Sequence, residues 1–224
     1  MIIGTKSRLW LRWVAANSLA ELIGLSATFA LDILILARVA AASSALASLA
    51  GIVLMAATGA IEGTVVGLFQ WRVLRGPFPS IARRAWVVAT VVGAVIAWFL
   101  GSLPSTLIDM GGQQTGSAAQ EPPAIVVSLL AAGMGLFLGA VLGIPQWLVL
   151  RRVVKGAWLW IPANCLAWAL GMPVIFAMMD RAYAAYAAGS LVGAVVVLAG
   201  TLALTGAVVG AVHGLALVKL APDN

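Results

Sequence analysis

Gly63-Thr64-Val65-Val66-Gly67-Leu68-Phe69-Gln70-Trp71-Arg72-Val73-Leu74-Arg75 returns 76 residues later as Gly139-Ala140-Val141-Leu142-Gly143-Ile144-Pro145-Gln146-Trp147-Leu148-Val149-Leu150-Arg151. A third, altered copy reads Gly206-Ala207-Val208-Val209-Gly210-Ala211-Val212-His213-Gly214-Leu215-Ala216-Leu217. Residues seven apart on an α-helix lie within about 20° of one direction, so Gly63 and Gln70 share a face, as do Gly139 with Gln146 and Gly206 with His213. Glycines four apart let a neighbouring backbone come close, which is how membrane helices gain contact where lipid gives no hydrophobic drive between them. The ladder extends backwards to Gly59 and Gly135, so two of the helices carry three glycines in step: Gly59, Gly63, Gly67 and Gly135, Gly139, Gly143.

A second helix type alternates with the first. It starts at tryptophan: Trp13-Val14-Ala15-Ala16-Asn17, then Trp86-Val87-Val88-Ala89-Thr90, then Trp160-Ile161-Pro162-Ala163-Asn164, with starts 73 and 74 residues apart. The chain therefore reads as one transmembrane domain over residues 1–224, three copies of a helical hairpin at about 12–75, 85–152 and 159–219. Apolar stretches at about 13–37, 46–71, 86–103, 124–150, 158–178 and 188–218 are nearly all beyond the ~18 residues of a spanning candidate. With 63% of residues hydrophobic and 9% charged, the expected class is all-α and polytopic, with six transmembrane helices. A β-barrel would need alternating polarity, which is absent.

Charge sets the expected orientation. Eleven of the thirteen Lys and Arg residues fall in four places: Lys6, Arg8 and Arg12; Arg72, Arg75, Arg83 and Arg84; Arg151, Arg152 and Lys155; and Lys219. These alternate with segments holding only Arg38 and Arg181. Short basic loops mark the cytoplasmic side, so both termini are expected inside, in a multi-pass protein of the cell (inner) membrane. The net charge of +6 is then a topology signal that also attracts anionic lipid headgroups, not a nucleic-acid footprint. The first apolar run is too long for a signal-peptide core of ~7–15 residues and belongs to the repeat, so it reads as a span. Residues 101–123, with Pro104, Asp109, Gly111, Gly112 and Glu121, read as a polar extracytoplasmic loop.

The repeated Gly-x-x-x-Gly-x-x-Gln-Trp-x-Val-Leu-Arg segment followed by a tryptophan-led helix resembles uncharacterised bacterial polytopic membrane proteins, over nearly the whole chain. The resemblance implies membrane embedding and repeat architecture. It carries no activity and no site. The third copy departs from it twice, with His213 for glutamine and Gly214 for tryptophan.

Asn17 lies five residues in from Arg12, and Gln70 and Gln146 lie five residues before Arg75 and Arg151. Asn17, Gln70, Thr90, Gln146, Asn164 and His213 are therefore expected at one depth, as a polar layer whose members bond one another because an unpaired amide in lipid is costly. Such a layer would clamp the hairpins at about 0.6–2 kcal/mol per bond. Its rival reading is a polar constriction or ligand ring on a pseudo-threefold axis. Trp10, Trp13, Trp71, Trp86, Trp147, Trp158 and Trp160 are expected as an aromatic belt at the inner interface. Pro145 and Pro173 should kink or loosen their helices, whereas Pro162 sits harmlessly in a first turn.

Three acids within spans, Glu21, Asp32 and Glu62, are candidate intramembrane ionisable sites because charge at such depth is expensive. None is repeated: Glu21 corresponds to Ala94 and Trp168, and Glu62 to Leu138 and Thr205. The bland readings are that Asp32 reaches the outer interface beside Arg38 and that Glu62 is a neutral, hydrogen-bonded group. His213, among Gly210, Ala211, Gly214 and Ala216, has room for a tetrapyrrole with the imidazole as axial ligand, or it merely replaces glutamine in the polar layer. Cys165, the single cysteine, excludes an intrachain disulfide and reads as packing. A metal site of several protein ligands is not expected. No P-loop, dinucleotide fingerprint or paired-cysteine motif is present, and no catalytic residue can be named. Two functions remain: a non-catalytic membrane subunit packed among other integral membrane subunits and lipids, and a small-solute or ion transporter using Glu62 and Glu21.

Overall fold

The protein, analysed as a computed structural model, is described over residues 4–42, 45–115 and 122–222. Six helices make up these residues: α1 (Thr5–Ala42), α2 (Ala45–Leu74), α3 (Arg83–Thr115), α4 (Ala124–Leu150), α5 (Trp160–Ala187) and α6 (Leu191–Leu220). Each is long and apolar enough to cross a membrane. The requirement behind this class is that a backbone in lipid must satisfy its own polar groups, which a helix does within itself.

Breakers set the ends. Gly76, Pro77 and Pro79 follow α2 and stop it, since proline cannot continue a helix. At the α5–α6 turn, Ser190 N donates to Ala185 O and Gly189 N to Tyr186 O, while Gly189 sits at φ 81°. This pairing closes a helix end through a left-handed residue, a conformation in which glycine carries no Cβ penalty. Ser190 then caps α6, its Oγ accepting from Gly193 N at 3.1 Å. Helices α4 and α5 continue through Pro145 and Pro173.

Two boundaries differ from the sequence reading. Helix α1 begins at Thr5, a full two turns ahead of the apolar run. The expected loop at 101–123 is helical through Thr115, and residues 116–121 lie outside the described ones. Polarity marks where a span leaves the apolar layer and not where hydrogen bonding stops, because adding a residue to an existing helix is far easier than nucleating one.

Every helix packs against its neighbours in sequence, and α1 also packs against α6, so the six close into a ring. At the end carrying the basic clusters, Leu74, Phe78, Ile81, Leu150, Ala157, Leu217 and Leu220 are buried in one core with Trp13, Trp86 and Trp160. The α2–α3 connection is tucked into that core, with Phe78 N bonded to Leu74 O at 2.9 Å and Trp71 Nε1 to Ile81 O at 3.1 Å. This basic end is thus an apolar floor on which the polar groups rest.

Candidate functional site

Three layers stack along the ring axis from the floor upward, each supplied by corresponding residues of the three hairpins. Leu74, Leu150 and Leu217 are fully buried and stand four residues beyond Gln70, Gln146 and His213. Next come Trp13, Trp86 and Trp160, also fully buried, with Trp160 edge-on to Trp13 at 5.8 Å and to Trp86 at 5.9 Å between ring centroids. Edge-to-face contact sets a positive ring edge against a negative face and adds about 0.5–1.5 kcal/mol to the burial itself. These three rings correct the expected interfacial belt: they form the centre of the bundle. Trp10, Trp71 and Trp147 are half-buried and Trp158 is exposed, with Arg75 over Trp71 at 5.4 Å and Arg151 over Trp147 at 4.8 Å.

A tryptophan can enter the axis because its N–H finds an acceptor on the preceding helix of the ring. Trp86 Nε1 donates to Gln70 Oε1 at 3.2 Å, Trp160 Nε1 to Gln146 Oε1 at 2.9 Å, and Trp13 Nε1 to His213 Nδ1 at 2.7 Å. Buried indoles normally require such a partner. One turn further along each tryptophan-led helix, the polar residue donates back to that tryptophan's carbonyl. Asn17 Nδ2 does so to Trp13 O at 2.8 Å, Thr90 Oγ1 to Trp86 O at 3.0 Å and Asn164 Nδ2 to Trp160 O at 2.9 Å.

The two glutamines join these units. Gln70 Nε2 donates to Asn17 Oδ1 at 2.8 Å, and Gln146 Nε2 donates to Thr90 Oγ1 at 2.9 Å and to Gln70 Oε1 at 3.1 Å. All six residues of the expected polar layer are buried and share this layer, four of them (Asn17, Gln70, Thr90 and Gln146) bonded to one another side chain to side chain, while His213 bonds Trp13 and Asn164 the Trp160 carbonyl. His213 and Asn164 make no corresponding bond to each other.

The glycine ladders face inward to the next helix rather than out toward lipid or another chain. A Cβ on Gly139 would overlap the carbonyl of Asn164 and the Cα of Cys165, and one on Gly206 would overlap the carbonyl of Asn17 and the Cα of Ser18. On Gly63 it would meet Val91 Cα and the Thr90 carbonyl. Gly67, Gly143 and Gly210 meet the side chains of Thr90, Asn164 and Asn17 in turn. Corresponding glycines therefore set the closeness at which corresponding polar residues bond.

Glu21, Asp32 and Glu62 are all buried, on α1 and α2 only. Glu62 Oε2 accepts a short hydrogen bond from Trp98 Nε1 of α3. Gly59 is what admits that ring, since a Cβ there would collide with Trp98 Cδ1. Gly24 lets α1 pass close to the Glu62 Cα. Thr58 Oγ1 lies 2.7 Å from Asp32 Oδ1 and 2.6 Å from the Met55 carbonyl, and its one hydrogen serves one of the two. Asp32 is thus buried and turned toward α2, while Arg38 on the same helix is exposed. Glu21 Oε2 and Asp32 Oδ2 have no hydrogen-bond partner. Glu62 lies within electrostatic reach of Glu21 on one side and Asp32 on the other.

A cavity of about 20 Å³ on the ring axis, lined by residues of all six helices, brings Glu21 and Glu62 together with Asn17, Asn164 and His213. Trp168, which occupies in α5 the place of Glu21 in α1, lines the same space. The nine tryptophans divide informatively: of the two left outside the expected belt, Trp98 bonds Glu62 and Trp168 lines the cavity that the two glutamates share. That leftover pair was the available signal for the Glu62 partner, which sequence reasoning missed.

The tetrapyrrole reading of His213 does not fit. The ring is 2% exposed and lies 5.5 Å from Trp13 and 5.4 Å from Trp160 between centroids. Gly210 packs on Val14 and Asn17, and Gly214 packs on Trp10 and Trp13, so the room suggested by these small residues is filled by α1. No protein-family model, curated protein or solved structure matches the chain.

Proposed function

We propose that the chain is a non-catalytic integral subunit of a bacterial inner membrane, with both termini cytoplasmic, packing within a larger membrane assembly and its surrounding lipids. The observation that carries this reading is the filled axis. Leucine, tryptophan and amide layers succeed one another without a passage, and the one axial cavity described above them measures about 20 Å³, room for a water or two. A solute path would need a continuous polar lumen. The bundle instead spends its polar groups on one another.

The outward surface supports the same reading. Ile125, Leu129 and Leu130 of α4 and Leu191, Val192 and Val196 of α6 are each more than 60% exposed, apart from the bundle's own packing. Gly133 and Gly200 lie on these helices with nothing near their Cβ positions. Such faces need lipid or another apolar helix against them. Photo-crosslinking groups at Leu129 and Val192 in native membranes are expected to capture other membrane chains, with Leu217 as a silent buried control. Recovery of a 23.0 kDa monomer from mild detergent, with lipid adducts alone at both positions, would overturn the assignment.

A second reading, ion or small-solute transport, is favoured by one observation: Glu21 and Glu62 face the axial cavity with no lysine or arginine among its lining residues. Intramembrane carboxyls in such places commonly mark ion pathways. Proteoliposome flux that Glu62→Gln abolishes would establish it. Equal flux in both proteins removes it.

A further inference from the structure

The polar layer is threefold in composition but only two of its arms are closed. On α2, Gln70 accepts from Trp86 through its oxygen and donates to Asn17 through its nitrogen. On α4, Gln146 accepts from Trp160 and donates to Thr90. On α6, His213 accepts from Trp13 through Nδ1. An indole nitrogen only donates, so Nδ1 is the bare nitrogen of the imidazole and the proton sits on Nε2. By analogy with the other arms, that N–H should reach Asn164 Oδ1. An imidazole is shorter and stiffer than a glutamine amide, and neither His213 Nε2 nor Asn164 Oδ1 has a hydrogen-bond partner among the described residues.

His213 and Asn164 line the axial cavity together with the carboxyls of Glu21 and Glu62. Beside the open arm the cavity thus meets one donor, His213 Nε2–H, and two acceptor groups, Asn164 Oδ1 and the Glu21 carboxyl, with the Glu62 carboxyl on its α2 side. A water molecule offers the complement, two hydrogens and an acceptor oxygen, and buried waters typically make about three such bonds. About 20 Å³ exceeds the roughly 10–15 Å³ that one water needs. A bare cation does not complement this set, because it would face the positive end of the His213 N–H.

We propose that this cavity is a binding site for a single water, held by His213 Nε2, Asn164 Oδ1 and the Glu21 carboxyl, which closes the third arm and joins the polar layer to the carboxyls of α1 and α2. The histidine in the third copy is then the feature that opens the site. Glutamine at the same position would span the gap and expel the water. Glu21 supplies the third contact from a position where the other copies have Ala94 and Trp168.

Infrared spectroscopy of the full chain in lipid nanodiscs, with H₂¹⁸O replacing H₂¹⁶O, tests this directly. The wild-type protein is expected to show an isotope-sensitive O–H stretch of an isolated bound water. His213→Gln should lose that band and melt at the same temperature or higher, and Glu21→Leu, which removes one partner and fills space, should lose it as well. Absence of the band in the wild type, or its persistence unchanged in either folded variant, overturns the site. An anomalous Tl⁺ peak in the cavity of thallium-soaked crystals would do so too, in favour of a cation.

Discussion

From the floor up to the polar layer, the three hairpins place like residues at like heights. Leu74, Leu150 and Leu217 meet, then Trp13, Trp86 and Trp160, and each indole has its acceptor. Beyond the layer the likeness stops. The acids come from α1 and α2 alone, Trp98 reaches in from α3, Trp168 fills the corresponding place in α5, and two carboxylate oxygens have no partner. The basic-end half shows how a membrane bundle keeps polar groups at little cost, by giving each axial indole N–H a side-chain acceptor on the neighbouring helix. The opposite half keeps groups that packing does not need, and those are the ones for a function to use.

Four substitutions break or sharpen this contrast. Trp160→Ala strikes hardest, because Trp160 touches Trp13, Trp86 and His213 at once. A loss of about 3–5 kcal/mol is expected in reversible unfolding in detergent, and a loss below 1 kcal/mol would mean that the axial rings are not the centre of stability. Gln146→Leu comes next. It strands the Trp160 N–H and removes donors from Thr90 and Gln70, at about 1–3 kcal/mol, read as the fall in thermal midpoint.

Gly139→Ala forces a Cβ into the Asn164 carbonyl, whereas Gly133→Ala on the same helix meets nothing. The first should cost about 1–3 kcal/mol and the second stay within about 0.5 kcal/mol. Equal melting of the pair would refute close α4–α5 packing. Smallest is Glu62→Gln. Its amide oxygen can still accept from Trp98 Nε1, so stability should move by no more than about 0.5 kcal/mol, measured against Trp98→Phe, which strands the side-chain oxygen. A large loss from Glu62→Gln would place the acid among the structural groups and erase the difference between the two halves.

The polar layer was legible before any coordinates because its signal is repetitive: the Gly63–Gln70 spacing recurs at 139–146 and 206–213, and helix geometry turns that spacing into a shared face. The inward tryptophans were not. A belt tryptophan and an axial one have the same neighbours in sequence, and Trp10 and Trp13 differ only by three positions around the helix, yet one is half-buried and the other fully buried. His213 misled for a related reason. Small neighbours signal space only until it is known which helix fills it, and α1 fills it here with Trp10, Trp13 and Val14.

Sequence by itself determined that this chain forms six apolar helices, that three of them carry glycine ladders, and that each ladder ends in a polar side chain on the same face. Span length, backbone satisfaction and helical period are local properties, readable within a few turns. Only the tertiary structure decided that α6 closes on α1, that three tryptophans meet on the axis, that Trp98 bonds Glu62, and that His213, Asn164 and Glu21 share one cavity. Those facts depend on how each helix is rotated against its neighbour, and that rotation is set by contacts between residues far apart in the chain.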